Sequence, residues 1–269
     1  LRALVVNADD FGFTRDVNRG IVEAFQNGIL SSTTLMANGA AFEDAIQRAK
    51  DNPGLDIGCH LVLVGQPPFP QTVAQLTQAV ALKRIRIYEE LSAQVRRIVE
   101  AGLKPTHLDT HKHTHLLPPV LNAVARISEE FRVPWVRRPF DLPLPAGAPG
   151  WKTNAANRAF GLVRGRFEKV LQQHGCRFTD HFAGFRMTGN FDSQSLAALI
   201  RALPEGSTEF MCHPGICGDE LRAARTRLKE SREAELRALT SPEVREALVE
   251  ANVELRNFES LSYQSRPAT

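Results

Sequence analysis

Four of the chain's eight histidines and one aspartate fall within nine residues, 107–115, of the stretch "PTHLDTHKHTHLLPP". Imidazole and carboxylate are the groups that ligate divalent metals and move protons near neutral pH. Similar groups recur at the ends of other apolar runs: Asn7, Asp9 and Asp10 in "RALVVNADD", Asn38 after "SSTTLMA", and His60 in "LDIGCHLVLV". Arg137 and Arg138 follow in "VPWVRRP", Asp180 and His181 in "RFTDHFAG", and His213 in "TEFMCHPG". Such groups are expensive to bury unless paired or metal-bound. One would be noise, but their recurrence in most strands predicts a site.

Two imidazoles and a carboxylate from separate strands make a facial metal site with open positions, suited to Zn²⁺ and tolerated by Mg²⁺. A second carboxylate beside the ligating one supplies a base for water, and a histidine from another strand supplies an acid. Each piece also has a structural reading. Asp9-Asp10 fits a helix N-cap, and His60 a core imidazole bonded to a carbonyl. Alternation puts His107, Asp109 and His111 on one strand face, where a polar layer inside a barrel is the alternative. His113 and His115 are expected beyond the strand end, in a solvated loop or behind the ligands. His174, in "QQHG", reads as structural at a helix C-terminus. Arg137 and Arg138 suit either an anionic or hydroxyl-rich substrate or an ion pair.

The elements that must position these residues alternate along the whole chain. Seven or eight short apolar runs are each followed by a helical period, as in "VNRGIVEAFQNG" and "YEELSAQVRRIVEAG". Helices are expected at 118–131, 154–174, 192–202, 219–239 and 241–251. The pattern predicts an α/β fold with a parallel sheet, a closed or nearly closed (β/α) barrel, with an open doubly wound sheet as the alternative. Both place reactive groups at the C-terminal ends of strands. Residues 65–86, with "GQPPFPQ", read as a long loop with one short helix. No compositional break or repeat divides the chain, so 1–269 is expected to form a single domain.

Composition narrows the partners. The net charge is +3, and the densest basic places, Arg96-Arg97, Arg137-Arg138 and 222–232, read as solvated helix faces or loops, which disfavours nucleic acid. The four cysteines lack C-x-x-C or disulfide spacing and suit buried thiols in a reducing compartment. No apolar run reaches the roughly 18 residues of a membrane span. The sequence enters a strand pattern directly, with no signal peptide, so a cytoplasmic location is expected.

"VVNADDFG" at 5–12, "GCHLVL" at 58–63, "PTHLDTHKHTH" at 105–115 and "MCHPG" at 211–215 resemble, in order, the YdjC/ChbG family of carbohydrate deacetylases. The resemblance covers most of the chain and is weakest at 64–87 and 140–175. It implies a deformed TIM-like (β/α) barrel that removes N-acetyl groups from amino sugars with one divalent metal ion, Zn²⁺ or Mg²⁺. Carried over by motif, Asp10, His60 and His111 would be the metal ligands, Asp9 the general base and His213 the acid that protonates the departing amine. Asn38, Asp109 and Arg137, at the same strand ends, are the candidates for holding substrate. The implied substrate is an N-acetylated oligosaccharide or glycolipid; "TDHFAGF" at 179–185 resembles the hopanoid-associated branch. A homodimer is also implied. Phe69, Trp135, Phe140 and Trp151 are candidate sugar platforms, with core packing as the alternative. Competing expectations are a phosphodiesterase or sugar isomerase on the same barrel, and a non-catalytic carbohydrate-binding protein.

Overall fold

The strands are short because the chain spends its hydrophobicity on two faces at once. β1 (Arg2–Phe11) is buried along nearly its whole length, one face toward the barrel interior and the other toward helices, so it reads as a continuous apolar run. The computed structural model describes residues 1–142 and 151–264. Its further strands are β2 (Ser32–Leu35), β3 (Asp56–Leu61), β4 (His107–Thr110), β5 (Trp135–Val136), β6 (His181–Ala183), β7 (Gly206–Cys212) and β8 (Val253–Arg256).

The sheet order is β5-β4-β3-β2-β1-β7-β6, with every pair parallel. β8 pairs with the N-terminal half of β1, on the edge whose C-terminal half pairs with β2. Isolated parallel bridges Trp135–Arg177 and Asp141–Phe182 link the two ends of this order. The result is a curled, deformed TIM-like barrel of seven parallel strands, with β8 as an eighth at one side. Crossover helices bury their apolar stripes against it; Leu4, Phe11, Leu35, Leu61, Leu108 and Phe210 belong to the shared core. Among the described residues no helix is long and apolar enough to cross a membrane.

The helical periods appear where expected at Pro118–Phe131, Ser193–Arg201 and Pro242–Glu250. The single helix expected at 219–239 is instead two, Asp219–Ala223 and Glu230–Leu239. Two elements had no counterpart in the periodicity. A 3₁₀ turn, His111–Leu116, follows β4 directly, and a last helix, Phe258–Gln264, follows β8.

Candidate active site

Asp9 and Asp10 are neighbours in a strand, so plain alternation would aim them at opposite faces. The chain avoids this with a register shift against β2 between Ala8 and Phe11, and with Asp10 in the left-handed region at φ 70°. Bulges re-aim side chains in this way, and positive φ in a non-glycine residue is strain that the surroundings must impose. Here Gly12 (φ 91°) follows, and its N–H donates to Asn18 Oδ1 at 2.6 Å, which fixes the loop to the next helix. Both carboxylates consequently line one cavity of about 680 Å³ at the C-terminal ends of the strands, together with His60, His111, His113, His213 and Arg232.

Within it, Asp10 Oδ1 lies 3.4 Å from His60 Nε2 and 3.3 Å from His111 Nδ1, and the two ring nitrogens are 3.2 Å apart. Bonds of about 2.0–2.1 Å at tetrahedral angles give donor–donor edges of roughly 3.3 Å, so this triangle fits a divalent transition metal. Two further observations fit the same group. Asp10 Oδ1 is buried without a hydrogen-bond partner, while its other oxygen accepts from Arg232 Nη2 at 2.5 Å. His60 Nδ1 donates to Asp109 Oδ1 at 2.7 Å, so in the neutral ring Nε2 is the lone pair that faces the triangle. Burial disfavours a charged His60, but Asp109 and Asp10 outweigh it and raise the ring to about 10. This corner demands a cation, be it a proton or a metal ion. A second cluster, Asp9, His60 and Asp109, also brings ligand atoms together. Its carboxylates are already neutralised by Arg137.

Arg137 is buried in the barrel interior and does not line the cavity. It grips Asp9 with both terminal nitrogens at 2.7 Å, and reaches Asp109 through Nη1 and Glu209 through Nε at the same distance. Burial opposes the Asp9 charge, yet the Arg137 guanidinium prevails and holds that carboxyl well below its usual value. Glu209, which takes only one of its hydrogen bonds, is pushed by burial up to about 7. Asp9 also accepts from Asn7 Nδ2 at 3.1 Å. His213 faces it across the cavity, its Nε2 3.9 Å from Asp9 Oδ2, and burial holds this imidazole down at about 4.

The structure therefore brings together Asp9, Asp10, His60, His111 and His213. It places the three candidate substrate residues differently. Asp109 and Arg137 lie beneath the cavity, each occupied by buried ion pairs, and Asn38 is half-buried outside its lining. His181 begins β6 and Asp180 precedes it, at the other end of the barrel, where they bond Ser207 (Asp180) and the Glu205 carbonyl (His181). His113 and His115 are not solvated but buried. Thr110 Oγ1 accepts the His115 N–H and donates to its Nδ1 at 2.5 Å, so Nε2–H donates to the Arg137 carbonyl at 3.0 Å. His174 pairs with Glu129 at a helix end, and all four cysteines are free and buried. Trp135 is buried against Phe258 and Phe140 against Phe167; Phe69 is partly buried against the core, and the Trp151 side chain lies outside the described residues. The aromatic rings that do line the cavity belong to Phe13 and Phe185.

Sequence reasoning missed Arg232 and Glu235, because 222–232 reads as a basic solvated stretch. Arg232 is buried on Asp10, and Glu235 accepts the backbone N–H of His213 at 2.5 Å and of Gly189 at 2.7 Å. The signal was available: positions 228, 232, 235, 236 and 239 share one helical face, so two charges interrupt an apolar stripe of leucines.

Comparison with known proteins gives the class. The YdjC-like protein family matches residues 3–250, and the chain belongs to that family. It is 34% identical over 271 residues to a carbohydrate deacetylase of Brevibacillus brevis, covering 96% of this chain and 99% of that protein. A carbohydrate deacetylase of Clostridium beijerinckii is 31% identical over 272 residues, again with 96% and 99% coverage. Among solved structures, a protein of Enterococcus faecalis V583 with a suggested role in cellobiose-phosphate cleavage matches with a TM-score of 0.75. It is 25% identical, and the match covers 97% of this chain and 98% of that one.

Proposed function

We propose that this protein is a carbohydrate N-deacetylase, a hydrolase that cleaves the amide C–N bond of an N-acetylated amino sugar in an oligosaccharide or glycolipid, with one divalent ion. The observation that carries this reading is the triangle of Asp10 Oδ1, His60 Nε2 and His111 Nδ1, open to a cavity that an ionised carboxylate, Asp9, held from behind by Arg137, and an imidazole, His213, also face. The relatives' name, carbohydrate deacetylase, agrees with it.

An amide is a weak electrophile, and its nitrogen leaves only once protonated. Asp10, His60 and His111 would hold the divalent ion, Zn²⁺ by preference and Mg²⁺ as an alternative, and its chemistry when bound would be to lower the pKa of water and polarise the acetyl carbonyl. Asp9, aimed by Arg137 and Asn7, takes a proton from the attacking water as its oxygen bonds to the acetyl carbon. His213 is neutral in the resting site, so the proton it gives the nitrogen is one that it first receives from the Asp9 side. The C–N bond breaks as nitrogen is protonated, leaving acetate and the free amine. Glu235, on the His213 backbone, keeps that ring at its station, and Asp109 and Arg137 orient His60 and Asp9 from below.

The test is metal content by mass spectrometry, beside acetate release from N-acetylated chitooligosaccharides. Wild type should carry one divalent ion per chain, His60→Ala none, and Asp9→Asn should keep the ion while turnover drops by at least about a hundredfold. Wild type that holds no ion after incubation with zinc or magnesium would sink the mechanism. Loss of the ion in His113→Ala but not His111→Ala would overturn the ligand assignment.

A further inference from the structure

A line of buried and half-buried polar groups runs from the barrel floor to Asp9. Asn7, whose Nδ2 donates to Asp9, has its Oδ1 2.8 Å from His107 Nε2. His107 Nδ1 lies 2.8 Å from Thr106 Oγ1, which in turn lies 2.6 Å from Asp56 Oδ1. Asp56 Oδ2 accepts the N–H of Glu259, in the last helix, Phe258–Gln264, at 3.1 Å. Phe258 from the same helix stacks on the His107 ring, with centroids 4.0 Å apart and planes 27° apart. The same ring also lies against Gly58, where an added Cβ would stand 2.6 Å from Nε2.

Proton counting gives this line a direction. Ionised Asp9 only accepts, so the Asn7 amide must turn its NH₂ to Asp9 and its oxygen to His107. His107 Nε2 then carries the proton. Burial and Arg137 hold His107 far below its ordinary value, so it is neutral and its Nδ1 is an acceptor. The Thr106 hydroxyl must therefore donate to Nδ1, and it has no second proton for Asp56. A 2.6 Å contact between Thr106 Oγ1 and an ionised carboxylate would then set lone pair against lone pair. A protonated Asp56 resolves this, its Oδ1–H donating to Thr106 while Oδ2 goes on accepting from Glu259.

We propose that neutral Asp56 heads a one-directional chain, Asp56–Thr106–His107–Asn7–Asp9, which makes Asp56, Thr106 and His107 positioning residues for the base. This rests on the reading of Asp9 given above. Burial raises the Asp56 carboxyl to about 6, with Glu259 nearby adding to it, so the acid form is accessible under mild conditions. The other charged groups lining the same floor cavity are Lys50, Lys104 and Arg132. On ionisation Asp56 becomes an acceptor, the Thr106 hydroxyl turns to it, and His107 Nδ1 loses its donor.

The experiment joins NMR of the full chain with kinetics on N-acetylated chitooligosaccharides from pH 5 to pH 8. Nitrogen-15 shifts should show His107 protonated on Nε2 with a bare Nδ1, and carboxyl carbon-13 shifts should show Asp56 protonated at pH 5 and ionising near pH 6. Thr106→Val should lower kcat about tenfold at pH 5.5 with KM within about twofold, a loss that narrows by pH 8 and that Thr106→Ser rescues. Asp56→Asn, whose amide N–H replaces the acid proton, should gain on wild type in kcat as pH rises. An Nδ1–H tautomer of His107, an Asp56 ionised at pH 5, a pH-independent Thr106→Val defect or an Asp56→Asn loss equal to it would each overturn the proposal. If wild type releases no acetate, the deacetylase reading fails, while the NMR shifts still decide the chain. Thr106→Ser and Asp56→Asn decide it if Thr106→Val does not fold.

Discussion

Arg232 and Asp10, 222 residues apart in sequence, meet through a 2.5 Å hydrogen bond from Nη2 to Oδ2, which leaves Asp10 Oδ1 alone to face His60 and His111. The guanidinium thus assigns one oxygen to the fold and one to the site. Burial resists the Asp10 charge, but Arg232 keeps the carboxyl well below its usual range. Arg232→Lys retains the charge but loses the planar fork, and Lys is a poorer match for a fixed carboxylate. We expect zinc affinity to fall about ten- to a hundredfold, read by calorimetric titration of the metal-stripped protein. Unchanged affinity would mean that Asp10 needs no such anchor.

Asp109 acts on the opposite side of the same triangle, by holding His60 in the tautomer that bares Nε2. Thr34 Oγ1 donates to the other Asp109 oxygen at 3.0 Å, so the carboxylate is itself fixed. Asp109→Asn offers one acceptor in place of two and sets an NH₂ against either the ring N–H or Arg137. The expected result is weaker zinc binding, by about tenfold or more, with acetate release recovering at raised zinc. Activity that stays low at saturating zinc would instead assign Asp109 to the substrate.

How much of this was legible in the sequence follows from what periodicity measures. It located the strands and hence the strand ends that gather Asp9, Asp10, His60, His111 and His213. It could not see the bulge that brings Asp9 and Asp10 to one side, because φ at Asp10 is set by contacts remote in sequence. Arg232 looked like surface because arginine usually is surface, and Arg137 read as either a substrate contact or an ion pair. Arg137 is buried where carboxylates from other strands converge on it, and Arg232 where its helix meets Asp10 of β1. His113 and His115 were expected either in solvent, where a turn after a strand usually lies, or behind the ligands, and burial favours the second. The left-handed pair Lys112-His113 folds that turn back into the barrel mouth.

Burial of neutral imidazoles gives the fold a contribution to stability that acid removes. His115 is held at about 3 by burial, and His107 lies well below its ordinary value for the same reason. Their unfolded value is 6.5, so below that pH the unfolded chain binds protons that the folded chain refuses. Stability is therefore fully present above pH 6.5 and is lost as pH falls toward the folded values. From pH 6.5 to pH 5 each such histidine removes about 2 kcal/mol. Glu209 and Asp56, raised by burial, slope the other way, so the check is a difference: across pH 5–6 the urea-unfolding slope of wild type should exceed that of His115→Asn by close to one proton. An identical slope in the variant would mean that His115 is not the neutral buried group described here.

Arg137 joins stability to chemistry, since one guanidinium bonds Asp9, Asp109 and Glu209 in the barrel interior. Lysine at this position keeps one charge but, as a compact point charge, cannot hold three carboxylates in fixed directions. Two of them would then be buried with weaker compensation, and breaking a buried pair costs about 3–5 kcal/mol. Arg137→Lys should lose up to that amount in urea unfolding. Relieved of its fork, Asp9 should titrate higher and point less well, so kcat should fall at least about tenfold while one metal ion per chain remains. KM should change little, because Arg137 does not line the cavity. A KM increase with kcat preserved would place Arg137 on the substrate after all, and would require the barrel to open around it.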